Sequence, residues 1–160
     1  MPELRKDPVL GRWIIIAKER GKRPTDFIIS EPETKGGFCP LCPGNEKTTP
    51  NEVLSYSPEE RQPNNPGWDL RVVPNKYPAQ VIEGDLKTVG EGLYDKRNGI
   101  GAHEILLDTP NHDDSFTRLP PGIMVKISQA FPDRPLDLQK VTPLTYVLVW
   151  SIPGRGAGPT

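Results

Sequence analysis

Proline limits what this chain can fold into more than any other feature of its sequence. The 160 residues include 20 prolines and 15 glycines, and proline interrupts helices and central strands because it lacks a backbone N–H and fixes φ. Regular elements must therefore be short, and loops must be numerous. Four apolar runs predict strands, at residues 12–17, 70–73, 100–108 and 145–150.

One segment has the apolar spacing of a helix. In residues 122–140 the apolar side chains of Met124, Ile127 and Phe131 recur at helical intervals. Pro132 and Pro135 lie inside the same segment, and an interior proline costs about 3 kcal/mol or more. The sequence therefore predicts a helix that is broken or confined to its first half.

The only two cysteines, Cys39 and Cys42, lie three residues apart in a turn bounded by proline and glycine. A Cys-x-x-Cys turn supplies two of the four ligands of a tetrahedral zinc site, so the pattern predicts half of such a site. The chain has two histidines, His103 and His112, as further candidate ligands. A redox-active cysteine pair is the alternative, and it is disfavoured because no helix N-terminus follows to lower a thiol pKa.

Charge and hydropathy exclude several classes of partner. The formal net charge is −1, so no overall basic field favours nucleic acid or an anionic membrane. No apolar run approaches the roughly 20 residues that cross a bilayer, and the first residues lack the apolar region of a secretory signal. We therefore expect a cytoplasmic protein that has no nucleic-acid or membrane partner.

Five segments in order carry a resemblance to a known family. They include the Leu-Arg-Lys-Asp-Pro and Cys-Pro-Leu-Cys-Pro-Gly-Asn-Glu motifs and lie at residues 4–13, 19–24, 39–46, 73–79 and 101–112. Together they resemble the N-terminal half of the galactose-1-phosphate uridylyltransferase family, a branch of the histidine-triad superfamily. A Cys-x-x-Cys pair alone is common, whereas five segments in register are specific.

The resemblance implies a fold and an activity. The expected fold is an α+β, histidine-triad-like domain with a mainly antiparallel sheet, few helices and long loops stapled by zinc. Residues 1–160 would form the family's N-terminal domain, incomplete at its C-terminal end. The family is a nucleotidyltransferase of galactose metabolism, and it exchanges uridylyl groups between UDP-glucose and a hexose 1-phosphate through a covalent uridylyl-histidine.

The resemblance also implies the roles of individual residues. Cys39, Cys42 and His112 correspond to three zinc ligands. The fourth ligand and the nucleophile belong to a His-Pro-His motif that is expected beyond Thr160, so no catalytic residue is assigned and this chain alone is expected to be inactive. His103 is expected to have a structural role.

Four further residues correspond to the family's substrate-binding positions. Arg20 and Arg23 would bind phosphate oxygens, for which guanidinium groups are well suited. Asn75 and Lys76, in a turn between two prolines, would contact the nucleotide. The alternatives are a solvated cluster of positive charge around Arg20 and a simple turn-forming role for Asn75.

Two other functions stay open at this point. One is a non-catalytic zinc-binding module that has kept nucleotide affinity or only its fold. The other is a nucleotidyltransferase for another sugar nucleotide, such as ADP-glucose, because these segments do not contain enough of the base pocket to choose. The family's active site is often shared across a dimer, which leaves a homodimer as one possible assembly.

Overall fold

The computed structural model describes residues 1–22, 38–140 and 145–151. These ranges contain seven β-strands, one α-helix and three short 3-10 helices. All pairs of neighbouring strands in the two sheets are antiparallel. The predicted α+β class, with a mainly antiparallel sheet and few helices, is therefore confirmed. The chain divides into two compact units, of which one contains residues 1–22 and 77–103 and the other contains residues 38–76 and 104–151.

The first unit is a four-stranded sheet. Its strands are β1 (Glu3–Lys6), β2 (Trp13–Ile16), β5 (Thr88–Glu91) and β6 (Tyr94–Asn98), in the order β2-β1-β6-β5. The predicted strand at residues 12–17 is confirmed as β2. Asp7 closes the hairpin between β1 and β2, because its carboxylate accepts the Val9 N–H at 2.9 Å and its carbonyl accepts the Gly11 N–H at 2.9 Å. Gly11 has a φ of 68°, which a residue with a side chain rarely adopts.

The second unit contains a three-stranded sheet and the helix. Its strands are β3 (Leu54–Tyr56), β4 (Leu70–Pro74) and β7 (Glu104–Leu107), with β4 in the centre. Apolar side chains of β4 and of α1 (Pro121–Gln139) form one buried core, whose members are Leu70, Val72, Ile127 and Ala130. The predicted strand at residues 70–73 is confirmed. The run at residues 100–108 forms a shorter strand, so that His103 precedes β7.

Helix α1 is continuous, and the prediction of a broken helix was wrong. Pro132 and Pro135 both lie inside its 19 residues. Tertiary contacts hold its second half: Arg134 donates two hydrogen bonds to Glu104 at 3.0 and 2.6 Å, and Tyr56 donates one to Asp133 at 2.5 Å. These contacts offset the backbone hydrogen bonds that the prolines cannot make. Within the described ranges, no helix is long and apolar enough to cross a membrane.

Two more local predictions differ from the structure. Residues 145–151 contain no strand, although their composition is typical of one, and the large side chains of this segment are exposed. A run of apolar residues forms a strand only where a partner strand completes the hydrogen bonds. Conversely, the segment around the cysteines is not loop throughout, because it contains the 3-10 helix Glu46–Thr48 and strand β3.

Candidate functional site

The two cysteines lie in a compact turn that is closed by its own neighbours. We call residues 39–48 the cysteine knuckle. The Cys42 N–H donates to the Cys39 carbonyl at 3.3 Å, and the Asn45 side-chain amide donates to the same carbonyl at 2.7 Å. The Thr48 hydroxyl has two acceptors within reach, the Asn45 carbonyl at 2.8 Å and the Pro40 carbonyl at 3.1 Å. Polar side chains that follow the second cysteine therefore add hydrogen bonds to the carbonyls of the turn.

The knuckle and His112 bring three metal donors together. The ligand atoms of Cys39, Cys42 and His112 all lie within 4.8 Å of one another, and the Cys42 Sγ lies 3.1 Å from the His112 Nδ1. Zinc bonds of about 2.0–2.3 Å place ligand atoms about 3.3–3.8 Å apart in a tetrahedron. The donor types and their spacing therefore fit a zinc ion with small adjustments. The site is partly exposed, because the cysteines are half-buried and His112 is exposed.

The protonation of Cys42 bears on the redox alternative. Burial, together with the neighbouring Cys39 thiol and the negative charge of Asp113, raises the pKa of Cys42 to about 11. A thiol with this pKa is protonated at neutral pH and is a poor nucleophile. A divalent cation would reverse this preference, because it stabilises the thiolate directly. The environment of Cys42 therefore disfavours a reactive thiol.

The sequence reasoning missed two residues that support the knuckle. Glu46 is buried, and its carboxylate accepts hydrogen bonds from the Gly44 N–H at 2.9 Å and from the Trp68 indole N–H at 3.0 Å. Trp68 is itself buried, just before β4. The only sequence signal was the position of Glu46 directly after the turn, and nothing in the sequence pointed to Trp68 as its partner.

The predicted nucleotide-binding turn continues directly from β4. Asn75 is buried and Lys76 is exposed. Lys76 lines a small surface depression together with Leu41 from the knuckle, and the other walls include Val73, Pro74 and Ile105. The structure therefore brings the knuckle and one predicted substrate-binding residue to the same place in the second unit.

The predicted basic residues belong to the first unit. Arg20 lies in the 3-10 helix Lys18–Lys22 and donates a hydrogen bond from Nη1 to the Tyr77 carbonyl at 2.7 Å. Arg23 lies outside the described residues. His103 accepts the Ala79 N–H on Nδ1 at 2.9 Å, which fixes the orientation of the ring. That bond agrees with the structural role expected for His103.

Comparisons with known proteins indicate the family of this chain. The sequence profile of the galactose-1-phosphate uridyl transferase N-terminal domain matches residues 1–155. An ADP-glucose phosphorylase of Arabidopsis thaliana is 32% identical over 162 residues, which cover 98% of this chain and 45% of the relative. A galactose-1-phosphate uridylyltransferase of Thermotoga maritima is 25% identical over 161 residues, covering 99% of this chain and 43% of the relative.

A solved structure of a uridylyltransferase has a similar fold. It superimposes with a TM-score of 0.56 at 29% sequence identity and covers 86% of this chain and 35% of that protein. This chain spans less than half the length of the two curated relatives. The match over residues 1–155 shows that the chain belongs to the galactose-1-phosphate uridyl transferase family and corresponds to its N-terminal domain.

Proposed function

We propose that this chain supplies the zinc-binding and nucleotide-binding part of a nucleotidyltransferase that acts on a nucleotide sugar and a hexose 1-phosphate. The observation that carries the proposal is the meeting of Cys39, Cys42 and His112 as candidate metal donors in a chain whose residues 1–155 match the family's N-terminal domain. The exposed ammonium group of Lys76, beside Leu41 of the knuckle, suits a phosphate oxygen. Arg20 and Arg23 are proposed as further phosphate-binding residues.

Zinc is proposed to be held by Cys39, Cys42 and His112. Its role in this chain is structural, since two thiolates and an imidazole tie the knuckle to a loop 70 residues further along the sequence. Neither histidine is proposed as the nucleophile, because His112 is a metal donor and the Nδ1 of His103 is used by Ala79. The proposal assigns binding, and not bond cleavage, to the residues described.

Two nucleotide sugars are candidate ligands. UDP-glucose follows from the family resemblance and from the Thermotoga relative, which would place the protein in galactose metabolism. ADP-glucose is supported by the higher identity to the Arabidopsis ADP-glucose phosphorylase. A cytoplasmic location and a homodimer stay predictions.

The metal is tested by measuring the zinc content of the purified chain by mass spectrometry. We expect close to one equivalent, and we expect Cys39→Ser to lose most of it because two protein ligands bind a partly exposed ion far less tightly than three. Lys47→Ala is the matched control, since this exposed residue lies in the knuckle and is not a donor. Wild-type protein without zinc, or equal zinc in both variants, would contradict the metal site.

Nucleotide binding is tested by calorimetry with UDP-glucose and with ADP-glucose. Lys76→Ala is expected to weaken binding of the preferred nucleotide about tenfold or more, because a hydrogen bond to a charged group contributes about 1.5–3 kcal/mol. Lys87→Ala is the control, as an exposed lysine of the first unit. Absence of binding of both compounds at millimolar concentration would leave only the structural zinc module.

A further inference from the structure

The carboxylate of Glu46 has an unusual environment for a buried charge. Its side chain belongs to a residue that is 4% exposed, and the two hydrogen bonds described for it come from neutral donors, the Gly44 backbone and the Trp68 indole. Burying a carboxylate is costly unless its oxygens are hydrogen-bonded, and here each oxygen accepts one bond. Glu46 lies inside the cysteine knuckle, two residues after Gly44, and the burial of a carboxylate at this place calls for an explanation.

We propose that Glu46 and Trp68 form a clasp that positions the cysteine knuckle for metal binding. The inference rests on the proposed zinc site and adds two residues that act on it without being ligands. Through the Glu46 carboxylate, the clasp joins the Gly44 N–H, two residues after Cys42, to the indole of Trp68. Trp68 is 2% exposed and lies two residues before β4. The backbone leaving Cys42 is thereby tied to the buried core of the second unit.

The clasp acts on the shape of the turn. Gly44 has a φ of 92°, a conformation open mainly to glycine, and its N–H is held by Glu46 Oε2. Without that bond the turn gains alternative conformations, and metal binding has to order it again. Groups that orient metal ligands without contacting the metal typically change affinity about 10–100-fold when they are mutated.

Direct ligation by Glu46 is the alternative, and the geometry disfavours it. The cluster of candidate ligands found among the described residues contains Cys39, Cys42 and His112, and it does not extend to Glu46. Both carboxylate oxygens are already used by Gly44 and Trp68. Glu46 is therefore a positioning residue.

The test measures zinc affinity of the full 160-residue chain by competition with a chelator. A carboxylate accepts two hydrogen bonds, whereas a glutamine side chain has one oxygen and must present its NH2 group to one of the two N–H donors. We expect Glu46→Gln to raise the zinc Kd about 10–100-fold. Trp68→Phe removes one donor and serves as a second test variant, with an expected rise in Kd of at least about threefold.

The double variant Glu46→Gln/Trp68→Phe provides a signature of the clasp. With the indole N–H gone, the glutamine oxygen can accept the Gly44 N–H and its NH2 group no longer faces a donor. The Kd of the double variant is therefore expected to rise less than the product of the two single changes. Cobalt substituted for zinc adds a second readout, because its visible absorption reports the ligand geometry that the clasp is inferred to fix.

Tyr56→Phe is the matched control. It removes a hydrogen bond to Asp133 elsewhere in the second unit and lowers stability without touching the knuckle. If Glu46→Gln has the zinc Kd and cobalt spectrum of the wild type, or weakens binding only as much as Tyr56→Phe, the clasp is overturned while the metal site stands. If the wild type binds no zinc, the proposed metal site itself is overturned, and the clasp inference with it.

Discussion

The two sheets of this protein are stabilised in different ways. In the three-stranded sheet, residues Leu70 to Val73 of β4 are all buried, and helix α1 packs on them. In the four-stranded sheet, β5 is exposed along its whole length, and Leu4 is the one buried residue in its four strands. The candidate metal donors and the depression beside Lys76 belong to the unit with the larger core.

The contrast extends to charge. In the second unit, Arg71 is fully buried and donates to Glu52 at 2.9 Å and to the Thr49 hydroxyl at 3.1 Å. In the first unit, Glu3 pairs with Arg5 at 2.7 Å and with Lys96 at 2.8 Å near the surface. Exposed pairs contribute about 0–1 kcal/mol each, whereas a buried pair costs several kcal/mol when one partner is removed. Substitutions should therefore be far more damaging in the unit that holds the site.

The largest effect is expected from Glu52→Gln. This change leaves the buried Arg71 and its neighbour Arg61 without their shared carboxylate and should lower the free energy of unfolding by about 3–5 kcal/mol. Urea unfolding followed by circular dichroism measures it. Glu3→Gln is the matched control in the first unit, and a loss of equal size there would contradict the contrast between the sheets.

The stability that Glu52 and Glu3 contribute should depend on pH, which acid unfolding can measure. Burial raises the pKa of Glu52, but hydrogen bonds from Arg61, the Asn64 backbone and Arg71 outweigh it, so that its pKa lies below the ordinary value. The stability this group contributes is therefore full above the pKa of an unfolded glutamate and is lost as pH falls through the lower, folded value. The hydrogen bond from Lys96 likewise lowers the pKa of Glu3, but Glu3 and its partners are only partly buried, so added salt should weaken this contribution more than that of Glu52.

The next largest loss of stability is expected from a cavity in the core of the second unit. Leu70 is fully buried, and Leu70→Ala should cost about 2–5 kcal/mol through lost burial and the cavity left behind. Val89→Ala shortens an apolar residue that is 49% exposed in β5 and should change stability by no more than about 0.5 kcal/mol. Similar costs for the two substitutions in urea unfolding would mean that exposure is a poor guide to stability in the first sheet.

The sequence predicted the apolar strands better than the polar ones. Strands β2 and β4 followed from runs of apolar, largely β-branched residues, whereas β5 and β6 are polar, and their register depends on pairing with β1 and with each other. The continuous helix was missed because its prolines are offset by Arg134 and Asp133, whose partners lie 30 and 77 residues away in the sequence. Local patterns cannot reveal such long-range contacts.

The proximity of the three candidate metal donors was predictable from the sequence, whereas the residues that support the turn were not. The spacing of Cys39 and Cys42 indicated a metal, and the resemblance added His112, which the structure places 3.1 Å from the Cys42 sulfur. Glu46 and Trp68 are 22 residues apart, and their contact depends on the path of the chain between them. Ligand identity is thus a local property, whereas the arrangement that holds the ligands is a property of the fold.

A smaller effect is expected from Tyr56→Phe, which removes the hydrogen bond to Asp133 on α1. The loss should be about 0.5–1.5 kcal/mol at neutral pH. Burial and the Asp133 carboxylate raise the pKa of Tyr56 to about 12. The stability from the neutral hydroxyl is therefore full below pH 10, the ordinary tyrosine pKa, and is lost as pH rises through about 12. The free energy of unfolding of the wild type should therefore fall more steeply between pH 10 and 12 than that of Tyr56→Phe. Equal slopes would contradict a stabilising hydrogen bond from the Tyr56 hydroxyl to Asp133.

The smallest effect on stability is expected from the contact between Trp13 and Arg97 in the first sheet. The Arg97 guanidinium lies 4.1 Å from the centre of the Trp13 ring, and both residues are half-buried, so this cation–π contact should contribute about 1 kcal/mol. Because Trp13→Leu also removes apolar surface, the contact itself is measured by a double-mutant cycle with Arg97→Gln. A coupling energy near this value would agree with weak individual contacts in the four-stranded sheet. A coupling of about 3 kcal/mol would make this pair as strong as the buried pair of Arg71 and Glu52. Both sheets would then contain strong interactions, and they would differ only in how many they have.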